Sequence, residues 1–202
     1  EQNGDGLVFT PAFLEWGFGL PVKEGMDEAS VTPPLALAMD NCEVKIVGKV
    51  DRIDKAGDYL TVVDYKRKSC PSFRDLAEGT DLQVALYILA AERLLCTEGN
   101  TMAGGGYYSI EGTRKEGGMW RAKLAEGIRH RAAKRAGNLT EQEWQALQAE
   151  VCRKIFGYVK GIQAGKFPAA PSGDCPPYCV ARTICRFQRR NGYHQEGGEG
   201  DA

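Results

Sequence analysis

A chain of 202 residues has room for one ordinary domain, or one domain with an appendage, and for nothing larger. Hydrophobic residues at 43% and charged residues at 26% match a globular average and exclude a disordered, fibrous or membrane-spanning class. A formal net charge of -1 excludes bulk attraction as the basis of polyanion binding, so any such site must be local.

The opening Glu1-Gln2-Asn3-Gly4 carries no initiating Met and no basic-then-apolar signal, so a fragment or processed piece of a larger protein is expected. Gly17, Gly19, Pro21, Pro33 and Pro34 punctuate the start of the chain. Residues 43–54 alternate like a strand, Lys55-Ala56-Gly57-Asp58 reads as a turn, and 59–66 is again β-rich, so an antiparallel pair is predicted. From 81 to 96 the pattern becomes helical, with Leu82, Ala85, Leu86 and Leu89 as the apolar stripe. A strand is predicted over 102–112 and helices over 117–136 and 140–164, the last with Thr140 as N-cap and Glu143 as its capping-box partner. The apolar run 82–91 falls well short of the roughly 20 residues a membrane span needs, and no membrane partner is expected. The predicted organisation is one domain over 1–190 and a loose Gly/Glu-rich tail over 191–202.

The chemistry concentrates in Gly48-Lys49-Val50-Asp51-Arg52-Ile53-Asp54 and in Asp64-Tyr65-Lys66. Strand alternation projects Asp64 and Lys66 from one side, and pairing through the turn brings Asp51 close to Asp64. Two converging carboxylates suit Mg²⁺, which takes one or two acids and completes its shell with water and phosphate oxygens. A neighbouring lysine can position water and stabilise charge growing on a phosphoryl group. A bare Asp-x-Lys is more often a solvated strand face. Here Asp64 follows Leu60-Thr61-Val62-Val63, a stretch that looks buried, and a buried acid requires a partner or a metal.

These segments, together with Gln83-Val84-Ala85-Leu86-Tyr87, resemble the PD-(D/E)xK nuclease superfamily, specifically its RecB/AddB-type exonuclease domains, which are related to CRISPR-associated iron–sulfur exonucleases. The resemblance implies an α/β restriction-endonuclease-like core, with a central mixed sheet flanked by helices and a cysteine-rich C-terminal segment. It implies that Asp51, Asp64 and the main-chain carbonyl of Tyr65 hold Mg²⁺ or Mn²⁺, that Lys66 is the catalytic lysine, and that Gln83 and Tyr87 support it from one helical face. The family's further His or acidic ligand, on a helix before the Asp51 strand, is not placed by these motifs. Glu15, in Phe13-Leu14-Glu15-Trp16-Gly17-Phe18-Gly19, marks a matching segment rather than a ligand.

Seven cysteines, three of them between Cys175 and Cys185, suit a reducing compartment such as the cytoplasm and a metal site better than a disulfide framework. Thiols at Cys175, Cys179 and Cys185 select zinc or iron–sulfur. The resemblance implies a structural [4Fe–4S] cluster in the full-length protein, with a fourth cysteine upstream. Cys42 lies too near the Asp51 strand to fill that place, and Cys96 and Cys152 are expected to pack as small hydrophobes. Basic clusters at 121–135 and at Arg182, Arg186, Arg189 and Arg190 could touch phosphates without reading sequence. The expected function is sequence-nonspecific, metal-dependent DNA hydrolysis in recombination or repair, beside a helicase domain or subunit. The alternatives are a catalytically inactive DNA-binding or scaffolding module of a helicase complex, and a cysteine-ligated redox protein.

Overall fold

The computed structural model describes residues 7–96, 99–125, 136–167 and 180. In chain order the elements are β1 (Thr10–Phe18), β2 (Leu35–Met39), β3 (Cys42–Ile46), β4 (Gly48–Ala56), β5 (Tyr59–Lys66), α1 (Phe73–Glu78), α2 (Gln83–Leu94), β6 (Thr101–Ser109), β7 (Arg114–Arg121), α3 (Ala122–Ala125), β8 (Gly137–Leu139) and α4 (Glu141–Gln163). Among the described residues, six strands form one sheet in the order β1-β4-β5-β6-β7-β8, and β2 and β3 form a separate hairpin. Pairing in the sheet is antiparallel except for β5 with β6 and β7 with β8, which makes it mixed, with helices against it as expected.

The chain divides into two compact units, Glu1–Gly157 and Tyr158–Ala202. The sheet, α1 to α3 and α4 as far as Gly157 lie in the first. The described part of the second holds the last turns of α4 and carries Ile162 and Phe167 exposed.

The central hairpin forms because β4 and β5 supply apolar or β-branched side chains to both faces. Val50, Ile53, Leu60, Val62 and Val63 are all buried, and Gly57 turns the chain with φ of 57°. A strand running unbroken over 43–54 is not what forms. Exposed Val47 separates β3 from β4, and β4 restarts at Gly48, where a Cβ would lie 2.7 Å from the Phe18 ring. Lys55 and Ala56, read as turn residues, extend β4 and pair with Leu60 and Tyr59.

The helix predicted over 117–136 is corrected over its first residues, 117–121, while 122–125 are helical as α3 and 126–135 lie outside the described residues. Gly117 and Gly118 have φ of 60° and 86°, outside helical space, and Glu116 to Trp120 are buried in β7. A strand covered on both faces loses its alternation, which removes the signal that would have marked it. Of the expected α2 stripe, Ala85 and Leu89 are buried and Leu82 and Leu86 only half-buried, and Val84, Ile88, Ala90 and Ala91 complete the buried face. The capping box at α4 forms as expected: Thr140 accepts the Glu143 amide through its hydroxyl, and the Glu143 carboxylate accepts the Thr140 amide.

The parallel β5–β6 pairing sets the geometry of the site. Its crossover contains α1 and α2, and α2 packs against β5 and β6. Glycine makes that approach close. A Cβ at Gly105 would lie 2.9 Å from Val62 Cβ and 3.0 Å from the Val62 carbonyl on β5, and 3.1 Å from Ile88 Cδ1 on α2, so strand and helix both crowd this position.

Candidate active site

The β4–β5 ladder runs from Ala56↔Tyr59 to Arg52↔Val63. One step further would set Asp51 opposite Asp64, and there a side chain takes over: Asp51 Oδ2 accepts the Tyr65 backbone N–H at 3.0 Å. Alternation leaves Asp51, Asp64 and Lys66 on one face of the sheet. Lys66 Nζ lies 2.8 Å from Asp64 Oδ2 and donates to Gln83 Oε1 at 2.6 Å, while Gln83 Nε2 donates to the Tyr87 hydroxyl at 3.1 Å. The five side chains singled out by motif therefore converge, from two adjacent strands and the first turns of α2.

Asp64 is 1% exposed, and its Oδ2 lies 2.8 Å from the Lys66 ammonium, with which it forms an ion pair. Burial lifts its pKa above the ordinary carboxylate range, Lys66 counteracts this, and the neighbouring charges of Asp51 and Asp81 push it further up. A desolvated carboxylate beside two further acids fits a hard cation.

The Tyr65 carbonyl shares the direction of its own N–H, toward the β4 side. The Lys66 carbonyl accepts from Ile110 on the β6 side at 2.9 Å, so the adjacent Tyr65 peptide groups face β4, where the Tyr65 N–H meets Asp51. Among the described residues no three His, Cys, Asp or Glu side chains gather as a metal cage. Two carboxylates and a carbonyl match an ion that keeps several waters, as Mg²⁺ does.

Two residues of the site, Asp81 and Tyr107, carry no signal in the local sequence. Asp81, just before α2, accepts both the Gln83 amide at 3.2 Å and the Tyr107 hydroxyl. Tyr107 is buried, and burial followed by the bond to Asp81 pushes its phenol well above the usual range, so it acts as a donor. Its position follows from the parallel register Asp64↔Tyr107, which no local motif announces. Glu15, in the matching segment, lies on β1. It has φ of 56° and forms an ion pair with Lys49, whose pKa that pairing raises, with smaller contributions from Asp51 and Tyr87.

On the opposite face, Asp54 is fully buried between Arg52 and Lys115, and Arg52 also donates to the Tyr65 hydroxyl at 3.1 Å. Burial lowers the pKa of Lys115. The two acids of Asp51-Arg52-Ile53-Asp54 thus face different ways, and Asp54 serves packing.

Cys175, Cys179 and Cys185 lie outside the described residues, as do His130, Arg129, Arg131, Lys134, Arg135, Arg182, Arg186, Arg189, Arg190 and the tail. Cys96 and Cys152 are half-buried, and burial raises both thiols, Cys96 to about 11, which suits packing rather than thiolate chemistry.

The sequence profile of the PD-(D/E)XK nuclease superfamily matches residues 1–186. The chain is 43% identical over 95 residues to an ATP-dependent helicase/deoxyribonuclease subunit from Natranaerobius thermophilus, covering 44% of this chain and 8% of that protein. It is 38% identical over 88 residues to the Bacillus pumilus protein of the same name and 39% identical over 88 residues to that of Bacillus subtilis, covering 40% of this chain and 7% of each relative. The chain thus spans less than a tenth of the length of the curated relatives it matches, with shares of 8% and 7%.

Proposed function

Because the chain belongs to the PD-(D/E)XK nuclease superfamily, we propose that its site hydrolyses phosphodiester bonds in DNA with the help of Mg²⁺ or Mn²⁺, as one part of a larger helicase–nuclease assembly. The observation that carries this reading is the meeting of Asp51, Asp64 and Lys66 on one sheet face, with Asp64 buried and paired with Lys66. Asp51, Asp64 and the Tyr65 carbonyl would hold the ion. When bound, a divalent ion supplies Lewis-acid stabilisation of phosphoryl oxygens and acidifies water.

The chain's own residues do the rest. Lys66 offers its ammonium to the negative charge that grows on the phosphoryl oxygens, held in place by Gln83, which is itself held by Tyr87. In the reaction a water oxygen forms the new bond to phosphorus and the bond to the sugar oxygen breaks. The water gives up one proton and the departing oxygen takes one up.

The DNA substrate and the helicase neighbour are supported by the names of the similar proteins, which are helicase/deoxyribonuclease subunits. The cysteines at 175, 179 and 185 are proposed to hold an iron–sulfur cluster, on their spacing and on the family resemblance. Calorimetric titration with Mn²⁺ tests the metal site. Binding should weaken at least tenfold in Asp51→Asn and in Asp64→Asn, and equal affinity in all three proteins would remove these carboxylates from the reading.

A further inference from the structure

We propose that Tyr107 is a positioning residue for Lys66: its ring face fixes the lysine ammonium, and its hydroxyl, tied to Asp81, fixes the ring. This rests on the reading of Lys66 as the ammonium that meets the substrate.

Lys66 Nζ sits 5.5 Å from the centre of the Tyr107 ring, in addition to its contacts with Asp64 and Gln83. The three partners differ in kind. A carboxylate neutralises the ammonium and an amide oxygen occupies one of its three donors. A ring face attracts the cation while leaving both its charge and its N–H groups available. A divalent ion at Asp51 and Asp64 would compete with Lys66 for Asp64, and Gln83 and Tyr107 are the partners left to keep the lysine in place.

The ring itself cannot wander. Tyr107 is 1% exposed, lies beside Asp64 in the parallel register, and donates its hydroxyl to Asp81 Oδ1. The same oxygen accepts the Gln83 amide, so one carboxylate anchors both the ring and the first turn of the helix that carries Gln83. Asp81 thus sets the two uncharged walls around Lys66 without touching the lysine among the described hydrogen bonds and ion pairs. Its charge also reaches Asp64, which makes the brace part of the field a cation would feel.

The test combines a spectroscopic and a kinetic arm. In proton–carbon NMR of the metal-free protein, the Lys66 ε-methylene signals, identified by their loss in Lys66→Met, should be displaced upfield by the ring. Tyr107→Leu should abolish that displacement, and Tyr107→Phe, which keeps the ring and cuts its tether, should retain it in part. In Mn²⁺-supported cleavage of linear DNA, Tyr107→Leu should lower kcat about tenfold with KM unchanged, and Tyr107→Phe about threefold. Asp81→Ala, which also releases the Gln83 amide, should lose at least as much as Tyr107→Phe, and the Tyr107→Phe/Asp81→Ala double variant should be no worse than Asp81→Ala alone, because both changes cut the Tyr107–Asp81 bond.

An undisplaced Lys66 signal in the native protein, a Tyr107→Leu protein with native shift and kcat, or additive losses in the double variant would overturn the proposal. Should the leucine variant fail to fold, the phenylalanine and alanine variants and their combination decide it. Absence of cleavage by the native protein with the ring shift intact would sink the hydrolytic reading and leave the brace standing.

Discussion

Burying the Asp64 carboxylate beside Asp51 and Asp81 costs the metal-free fold stability, because its pKa is raised chiefly by loss of water. A carboxyl whose folded pKa is raised contributes stability that is present below its ordinary range and is lost as pH rises through the raised value. Asp64→Asn should therefore have the higher urea midpoint at pH 7 without metal. The advantage should shrink as pH is lowered through the raised pKa and reverse when Mn²⁺ is added. A lower midpoint for Asp64→Asn in metal-free buffer would show that Lys66 outweighs the burial cost. The residues of this site that the sequence made legible are those linked by short periods: Asp64 and Lys66 two apart in a strand, Gln83 and Tyr87 four apart in a helix. Tyr107 and Asp81 were not legible, since each reaches the site through a pairing of β5 with β6 or through the start of α2 that depends on the assembled sheet.

At the scale of elements, the seat of α2 on β6 decides whether Gln83 reaches Lys66. Gly105 makes the seat possible, with Val62 Cβ and Ile88 Cδ1 standing where its side chain would be. Gly105→Ala forces that contact open without straining the backbone angle, and overpacking of this kind typically costs about 1–3 kcal/mol. Urea denaturation should show a loss in that range, and DNA cleavage should fall further than stability alone explains, because α2 carries Gln83 away from Lys66. An unchanged midpoint would mean that the helix is not seated this closely. The central hairpin was readable from its β-branched residues and turn. β7 was not, because Gly117 and Gly118 break the strand pattern while Glu116 to Trp120 are buried together, and the flanking charges then imitate a helical face. β2 and α1 are short, five and six residues, and offer too few positions for a period to show.

Taken as a whole molecule, the chain carries a net charge of -1 and cannot gather DNA by its overall field. Attraction has to be local. The described site supplies Lys66, and Lys49 stands two residues before Asp51 on the same strand, paired with Glu15. Affinity for DNA and hydrolysis should accordingly separate, since a single lysine at the reacting phosphate adds little to binding that many contacts share. The most direct measurement is cleavage of end-labelled linear DNA in Mn²⁺ by the native protein and by Lys66→Ala, with binding followed in parallel by fluorescence anisotropy in Ca²⁺. The native protein should degrade the DNA, and Lys66→Ala should lose about 10²-fold or more in rate while its affinity stays within about twofold. Equal degradation by the two proteins would contradict a hydrolytic site built on Asp51, Asp64 and Lys66.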